Sequence, residues 1–209
     1  MKALLLGAAG IGDYEQLKGQ LSEDYDYVLC VDGGIRHLEP LGLTPDLIIG
    51  DMDSADPEAL KALQSVPVKR FPVMKDESDS ELALLELGDS EYEVIHMVGF
   101  YGSRWDHTLV NFGLLIKYAH LNVHMIDENN RAFAGRGRIE LQGLQDRVVS
   151  LIPMTPIFGV TLTGMKYPLN DVDVAYPTSL TLSNSLVDSR GSIEVREGKY
   201  IVVISMAAQ

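Results

Sequence analysis

Cysteine, basic residues and long apolar runs are all scarce in this sequence. Cys30 is the single cysteine among 209 residues, so no internal disulfide is possible and nothing indicates an oxidising compartment. Seventeen Lys and Arg stand against 30 Asp and Glu, for a net charge of −13. A nucleic-acid partner is therefore not expected, because such surfaces cluster basic residues against phosphates. No run reaches membrane-spanning length, and the N-terminal apolar segment is too short for a signal peptide, so we expect a cytoplasmic protein without membrane contact.

Short apolar runs alternate with amphipathic stretches through the first part of the chain. The apolar runs lie at 3–6, 27–31, 47–49, 66–73, 94–98 and 123–126, and the amphipathic stretches at 13–21, 35–41, 57–63, 80–87 and about 106–120. This alternation is typical of βαβ units around a mostly parallel sheet. We therefore predict an α/β domain over residues 1–127.

The pattern changes after residue 127. Short alternating runs separated by Gly and Pro follow at 138–141, 148–152, 160–162, 180–182, 193–195 and 200–204. Many short strands at this spacing are typical of an all-β sandwich or barrel. We place the boundary in the polar stretch 127–131 and predict an all-β domain over residues 128–209.

Two carboxylates follow the predicted strand at 47–49. Asp51 and Asp53 come just beyond its carboxyl end, where ligands bind in open α/β sheets. Closely spaced carboxylates there suit Mg²⁺ and the phosphates that it carries. The alternative is a capping loop, in which Ser54 or Asp56 caps the next helix and the two earlier acids are solvated. The spacing alone favours neither.

A second cluster, Asp32-Gly33-Gly34, follows the run at 27–31. Two glycines at the start of a helix allow a close backbone approach and leave N–H groups for an anion. An ordinary strand-to-helix turn explains the same residues equally well.

A third cluster precedes the amphipathic stretch at 80–87. Ser78 and Glu81 have the spacing of a capping box, with Asp79 favourable at the helix start. Capping explains Lys75 and Asp76 less well, because a lysine among carboxylates suits a phosphate whose metal the acids hold.

A fourth cluster lies in the glycine-rich segment 99–107. Arg104 offers a planar fork for phosphate oxygens, and Asp106 is a candidate for a metal shell. Alternatively, Asp106 is an acid in the first turn of a helix and Trp105 packs on the core. For His107, a structural hydrogen bond is the simpler interpretation.

Four such clusters at one predicted sheet edge favour an anion-plus-metal site over capping alone. The sequence has no Gly-x-x-x-x-Gly-Lys-Ser/Thr loop, which excludes a P-loop enzyme. The segment 7–10 resembles the dinucleotide fingerprint only loosely, so nicotinamide chemistry is not expected.

Taken in order, these clusters resemble the thiamine pyrophosphokinase family. The matching segments are 32–34, 45–54, 75–79, 104–107 with Asn111, 149–153, 164–169 and Ser183-Asn184, which together span nearly the whole chain. Two departures are Ser103, where the family often has glycine, and Ser185, where it often has Glu. The second departure concerns the details of substrate contact rather than the class of reaction.

The resemblance implies a fold and a reaction. The implied fold class is α/β, with an N-terminal, mostly parallel, Rossmann-like sheet domain followed by a C-terminal all-β sandwich domain. The implied reaction moves the pyrophosphoryl group of ATP to the thiamine hydroxyl, giving thiamine diphosphate and AMP with the help of Mg²⁺. The implied assembly is a homodimer with thiamine near its interface.

The resemblance also assigns roles to individual residues. The expected Mg²⁺ ligands are Asp51, Asp53, Asp76 and Asp79; the expected catalytic group is Asp51, Asp53, Asp79 and Asp106; the expected nucleotide contacts are Asp32, Gly33, Gly34, Lys75, Ser78 and Arg104; and the expected thiamine contacts are Ser183 and Asn184. Two other functions stay open at this point. One is a different metal-dependent transferase or phosphatase acting on a nucleotide, and the other is a non-catalytic nucleotide or thiamine sensor.

Overall fold

The computed structural model divides the chain into two compact units that meet between Glu128 and Asn129. The structure describes residues 1–22, 24–50, 63–71, 76–88 and 91–206. Within these ranges, no helix has both the length and the apolar character needed to cross a membrane.

The first unit alternates strands with helices. Its described strands are β1 Lys2–Leu6, β2 Tyr27–Val31, β3 Leu47–Gly50, β4 Val68–Arg70, β5 Val94–Val98 and β6 Val123–Ile126. Its described helices are α1 Tyr14–Lys18, α2 Leu38–Leu41, α3 Asp79–Leu87 and α4 Trp105–Lys117, with 3₁₀ segments at Asp32–His37 and Ala119–Leu121.

The strands of the first unit are ordered β6-β5-β1-β2-β3-β4, and every neighbouring pair is parallel. Strand β1 is central: Leu4 is aligned with Val28 of β2 on one side and with His96 of β5 on the other. Residues Ala3 to Leu6 of β1 are fully buried, as expected for a parallel strand in the interior of a sheet. After β1, the chain adds β2, β3 and β4 on one side of β1, and it then adds β5 and β6 on the other side. The direction of building therefore reverses between β1 and β5, which is where open α/β sheets bind ligands.

The second unit consists of antiparallel strands. They are β7 Asn130–Ala134, β8 Arg138–Gln142, β9 Val148–Pro153, β10 Ile157–Thr163, β11 Leu169–Val174, β12 Asn184–Ser185, β13 Arg190–Glu194 and β14 Tyr200–Ser205. One set is ordered β12-β9-β14-β7 and the other β11-β10-β13-β8. Leu151 and Val202 of the first set share a buried cluster with Val160 and Ile193 of the second. The two sets thus cover one core.

The structure confirms a mixed α/β protein and corrects one expected strand. Residues 180–182 lie in a turn, where Leu182 N donates to Ser179 O at 3.1 Å. The alternation is inverted there, since both leucines are exposed while Thr181 is buried with its hydroxyl on Leu151 O. Strands β7, β11 and β12 are absent from the sequence prediction. The predicted helix at 57–63 lies outside the described residues except for its last residue.

Candidate active site

The carboxyl ends of β1, β2 and β5 open onto a cavity of about 680 Å³ in the first unit. Its walls are the loops after these three strands, the first turns of α4 and the start of α3. The lining residues are Gly7, Ala8, Ala9, Gly10, Val31, Asp32, Arg36, Glu77, Ser78, Asp79, Ser80, Gly99, Phe100, Gly102, Ser103, Arg104, His107, Thr108 and Asn111. The cavity therefore lies at the reversal point of the sheet.

Two glycines bring the loops after β1 and β5 into direct backbone contact. A Cβ added to Gly7 would lie 2.5 Å from Gly99 O, and one added to Gly99, whose φ is 76°, would lie 2.4 Å from Gly7 O. Gly7 N donates to Val98 O at 2.8 Å, and Ala9 N donates to Gly99 O at 2.9 Å. Side chains at either glycine would force the loops apart. This part of the cavity wall consists of main chain.

The Asp32-Gly33-Gly34 segment packs closely against the carboxyl ends of β1 and β3. Asp32 begins the 3₁₀ segment with a φ of 47° and is one of the lining residues of the cavity. A Cβ on Gly34 would lie 1.9 Å from Leu6 O, so this position needs a residue without a side chain. Gly33 and Gly34 are buried, and neither is among the lining residues. Of this cluster, Asp32 is the member that lines the cavity.

Helix α3 presents its N-terminus to the cavity. Ser78 is the N-cap, and its Oγ accepts from Glu81 N at 3.2 Å, which confirms the predicted cap. The capping box is not reciprocal. The Glu81 carboxylate does not bind the backbone N–H of Ser78 but accepts from Tyr118 OH at 2.9 Å and pairs with Lys117. The hydrogen bond from Lys117, followed by that from Tyr118, lowers the pKa of Glu81 against the opposing effect of burial. These contacts tie α3 to the end of α4.

Asp79 and Asp76 differ in their position at this helix start. Asp79 lies in the first turn of α3 and lines the cavity. Asp76 is exposed and is not among the lining residues.

Arg104 and Asp106 form a bidentate ion pair at the mouth of the cavity. Arg104 Nε donates to Asp106 Oδ1 at 2.9 Å and Nη2 donates to Oδ2 at 2.7 Å, while the side chains are 70% and 63% exposed. The Arg104 guanidinium holds the pKa of Asp106 well below its usual range. Arg104 lines the cavity whereas Asp106 does not. The fork that the sequence assigns to phosphate thus binds a carboxylate in this structure.

The segment between Gly99 and α4 is held by buried polar side chains. Asn111 Nδ2 donates to Phe100 O at 2.7 Å, and Thr108 Oγ1 accepts from Gly102 N at 3.3 Å. Trp105 does not pack on the core as the alternative interpretation supposed, since it is 79% exposed. Hydrogen bonds from the first turns of α4 therefore fix the backbone of this segment, while Arg104 lies at the mouth of the cavity.

Ser183 and Asn184 lie in the second unit and differ in exposure. Asn184 is 4% exposed, and backbone groups bind its side-chain amide: Oδ1 accepts from Tyr167 N at 3.0 Å and from Ser185 N at 2.9 Å, and Nδ2 donates to Tyr167 O at 2.8 Å. Ser183 is exposed, with a φ of 56° and its N–H on Ser150 Oγ at 2.9 Å. Asn184 thus fixes a loop, and Ser183 offers its hydroxyl to the surface.

Three expected site residues, Asp51, Asp53 and Lys75, lie outside the described residues. In the part of the chain that is described, no three His, Cys, Asp or Glu side chains are grouped as a metal shell requires. The sequence reading missed the loop Gly7–Gly10 and Arg36 as parts of the cavity. The position of the loop directly after an apolar strand could have indicated that it lines the cavity. For Arg36, the surrounding sequence contains no pattern that would have indicated this.

The fold and cavity define the class, which is that of open α/β proteins with a ligand site at the carboxyl edge of a parallel sheet. Residues 19–126 match the family model described as "Thiamin pyrophosphokinase, catalytic domain". Residues 138–200 match the model described as "Thiamin pyrophosphokinase, vitamin B1 binding domain".

Individual relatives agree with these models along the chain. The thiamine pyrophosphokinase of Bacillus subtilis (strain 168) is 30% identical over 191 residues, which cover 88% of this chain and 89% of that protein. The crystal structure of thiamine pyrophosphokinase from Bacillus subtilis superposes with a TM-score of 0.87 at 27% identity, covering 100% of both chains. That of thiamin pyrophosphokinase from Geobacillus thermodenitrificans gives 0.87 at 27% identity, covering 100% of this chain and 99% of that one. The chain belongs to the thiamin pyrophosphokinase family, a family of ATP-dependent transferases.

Proposed function

We propose that this chain is a thiamine diphosphokinase that transfers the β,γ-pyrophosphoryl group of ATP to the hydroxyl of thiamine. The bond between the thiamine oxygen and the β-phosphorus forms, the bond from the β-phosphorus to the α,β-bridging oxygen breaks, and AMP leaves. The hydroxyl proton is released in the same step. The carrying observation is that one cavity, in a chain of this family, joins Asp32, Asp79 and Arg104 at the reversal point of the parallel sheet.

Binding of the nucleotide is assigned to the cavity in the first unit. The start of α3 offers N–H groups to phosphate oxygens, and the main-chain wall lets the phosphates approach without a side chain between them. The proposed contacts are Asp32, Lys75, Ser78 and Arg104, and Gly33 and Gly34 are proposed to contribute by the close backbone approach that they allow beside Asp32. For Arg104, binding means exchanging the Asp106 carboxylate for a phosphate. Both side chains are exposed, so water can solvate the carboxylate that is released.

Mg²⁺ is the metal that the proposed reaction requires, and the donor chemistry fits it. It is bound in phosphoryl-transfer sites by one or two carboxylates together with substrate phosphates and water. Asp79 supplies a carboxylate at the cavity wall, and the other proposed ligands are Asp51, Asp53 and Asp76. When bound, the ion neutralises charge on the phosphates as the transferred group moves. The proposed catalytic group is completed by Asp106, which holds Arg104 in place before the nucleotide binds.

The remaining assignments concern the second unit and the assembly. Ser183 and Asn184 are proposed to serve thiamine, Ser183 by direct contact and Asn184 by fixing the neighbouring backbone. We infer a Rossmann-like domain over residues 1–127 and a β-sandwich over residues 128–209. The parallel strand order and the core shared by the two antiparallel sets support these descriptions. A cytoplasmic homodimer is proposed from the family resemblance.

Product analysis tests the proposed reaction. The protein is incubated with ATP, Mg²⁺ and thiamine, and thiamine diphosphate, AMP, ADP and inorganic phosphate are separated and quantified. We expect thiamine diphosphate and AMP in equal amounts, with no AMP when thiamine or Mg²⁺ is omitted. Release of ADP or phosphate would identify a different nucleotide-dependent enzyme. Binding of both substrates without any product would identify a sensor.

A further inference from the structure

His37 is a buried histidine whose two ring nitrogens both have partners beside the cavity. It ends the 3₁₀ segment Asp32–His37 and is 1% exposed. Nε2 lies 2.9 Å from Ala9 O, in the loop after β1, and Nδ1 lies 2.8 Å from the hydroxyl of Tyr14 in α1. The ring thereby connects three elements.

These partners define the tautomer of His37. A carbonyl oxygen only accepts, so Nε2 carries the hydrogen and donates to Ala9 O, while Nδ1 accepts from the Tyr14 hydroxyl. Burial lowers the pKa of His37, and the neighbouring Arg36 acts in the same direction against the carbonyls of Ala9 and Gly7. The imidazole is thus a neutral, oriented donor to the loop.

Ala9 is the point at which the two glycine-rich walls of the cavity meet. Its N–H donates to Gly99 O at 2.9 Å, and its Cβ lies where a Cβ on Gly102 would approach to 2.9 Å. Ala9 itself lines the cavity. A shift of Ala9 therefore moves the loop after β1 relative to the loop after β5.

We propose that His37 is a positioning residue for the nucleotide, which acts through Ala9 to set the width of the cavity between these two loops. His37 is not itself among the lining residues, so its effect on binding is transmitted by the main chain. The proposal rests on the proposed function, because it takes the phosphates of ATP as the ligand. It adds a residue that none of the four sequence clusters includes.

Three substitutions separate the two hydrogen bonds of His37. In His37→Gln the amide nitrogen reaches the position of Nε2 and keeps the bond to Ala9. In His37→Asn the shorter amide reaches only the position of Nδ1 and keeps the bond to Tyr14. His37→Phe removes both bonds and retains the ring. Steady-state KM values for ATP and for thiamine are measured at a temperature where circular dichroism shows each variant to be folded.

The expected result is a split between the two substrates. We expect KM for ATP to rise about tenfold in His37→Asn and His37→Phe, near the value of one hydrogen bond, and to stay within about threefold of wild type in His37→Gln. KM for thiamine should change by less than about twofold in all three. An unchanged KM for ATP in His37→Asn, or an equal rise for both substrates, would overturn the proposal. If His37→Phe does not fold, the difference in KM for ATP between His37→Gln and His37→Asn decides whether His37 positions the nucleotide.

Calorimetric titration with a non-hydrolysable ATP analogue keeps this proposal separate from the proposed function. If wild type binds the analogue yet forms no AMP, the proposed reaction fails. The affinity ratio of His37→Gln to His37→Asn still decides the positioning role, since it does not depend on turnover. Equal affinities in these two variants would contradict that role.

Discussion

The carboxyl group of Asp32 lies against the α-carbon of Gly50, in the space that a side chain would otherwise fill. A Cβ built on Gly50 would come within 1.6 Å of Asp32 Oδ1. Gly50 ends β3 with a φ of 137°, and Asp32 itself has a φ of 47°. The Asp32 carboxylate can occupy this position because the neighbouring strand has no side chain there.

Gly50→Ala tests this relationship. We expect a loss of about 2–4 kcal/mol in the free energy of unfolding, because the new methyl group clashes with Asp32 and the backbone is strained. Gly42→Ala is the matched control: its φ is 69° but nothing lies within 4 Å of the added Cβ, so it should cost only about 1–2 kcal/mol. Urea denaturation measures both. Equal losses would mean that backbone strain alone accounts for the requirement for glycine at position 50.

Asp79→Asn removes a proposed Mg²⁺ ligand and retains its shape. We expect kcat/KM to fall by at least about 100-fold and the Mg²⁺ concentration for half-maximal activity to rise. Glu39→Gln is the control, since Glu39 is likewise an acid in the first turn of a helix, α2, but is exposed and does not line the cavity. That variant should keep wild-type activity. Unaltered Mg²⁺ dependence in Asp79→Asn would remove Asp79 from the metal site. The same experiment on Asp53→Asn tests a ligand outside the described residues.

Glu81→Gln weakens the link between α3 and α4 in a pH-dependent way. The pKa of Glu81 is lowered by Lys117 and Tyr118, so its contribution to stability is present above the unfolded-state value of 4.5 and is lost as the pH falls through the lower folded-state value. Near pH 7, we expect the free energy of unfolding to be about 1 kcal/mol higher in wild type than in Glu81→Gln. The difference should shrink below pH 4.5. Tyr118→Phe is a second variant, because it removes only the hydroxyl that donates to Glu81. A difference that is constant from pH 7 to 3 would contradict this origin.

Asn184→Asp and Ser183→Ala separate a structural contact from a substrate contact in the second unit. Asn184→Asp replaces the Nδ2 donor with an oxygen facing Tyr167 O, and we expect it to cost about 1–3 kcal/mol of stability. Ser183→Ala removes an exposed hydroxyl and should leave the melting temperature unchanged while raising KM for thiamine several-fold. Thermal unfolding and steady-state kinetics measure the two effects. A stable Asn184→Asp protein, or an unaltered KM in Ser183→Ala, would contradict the respective role.

The sequence predicts the buried strands of the first unit well. The bounds of β2, β5 and β6 agree with the apolar runs at 27–31, 94–98 and 123–126, because interior parallel strands need continuous apolar side chains. Strand β11 lacks this signal: half of the residues in Leu169–Val174 are polar and exposed, since the strand lies at one edge of its sheet. The predicted strand at 180–182 is wrong for the opposite reason: its apolar pattern suggests burial, but its two leucines are exposed.

Site chemistry is less accessible to the sequence than the position of the site. Strand ends indicate where the clusters converge, because parallel strands share one carboxyl edge. The pairing of Arg104 with Asp106 and the diversion of Glu81 to Tyr118 depend on side-chain directions that linear spacing does not specify. His37 shows the same limit, since both of its hydrogen bonds go to residues more than 20 positions away.

The central place of β1 in the sheet matters while the chain is being synthesised. β1 is complete at Leu6, but its neighbour β5 ends only at Val98 and the last residue of the cavity wall is Asn111. At about 5–20 residues per second, a nascent chain carries one unpaired edge of this buried strand for several seconds. Chains that terminate before β5 cannot assemble the cavity and expose that edge permanently. Premature release is therefore expected to yield aggregation-prone fragments rather than partially active enzyme.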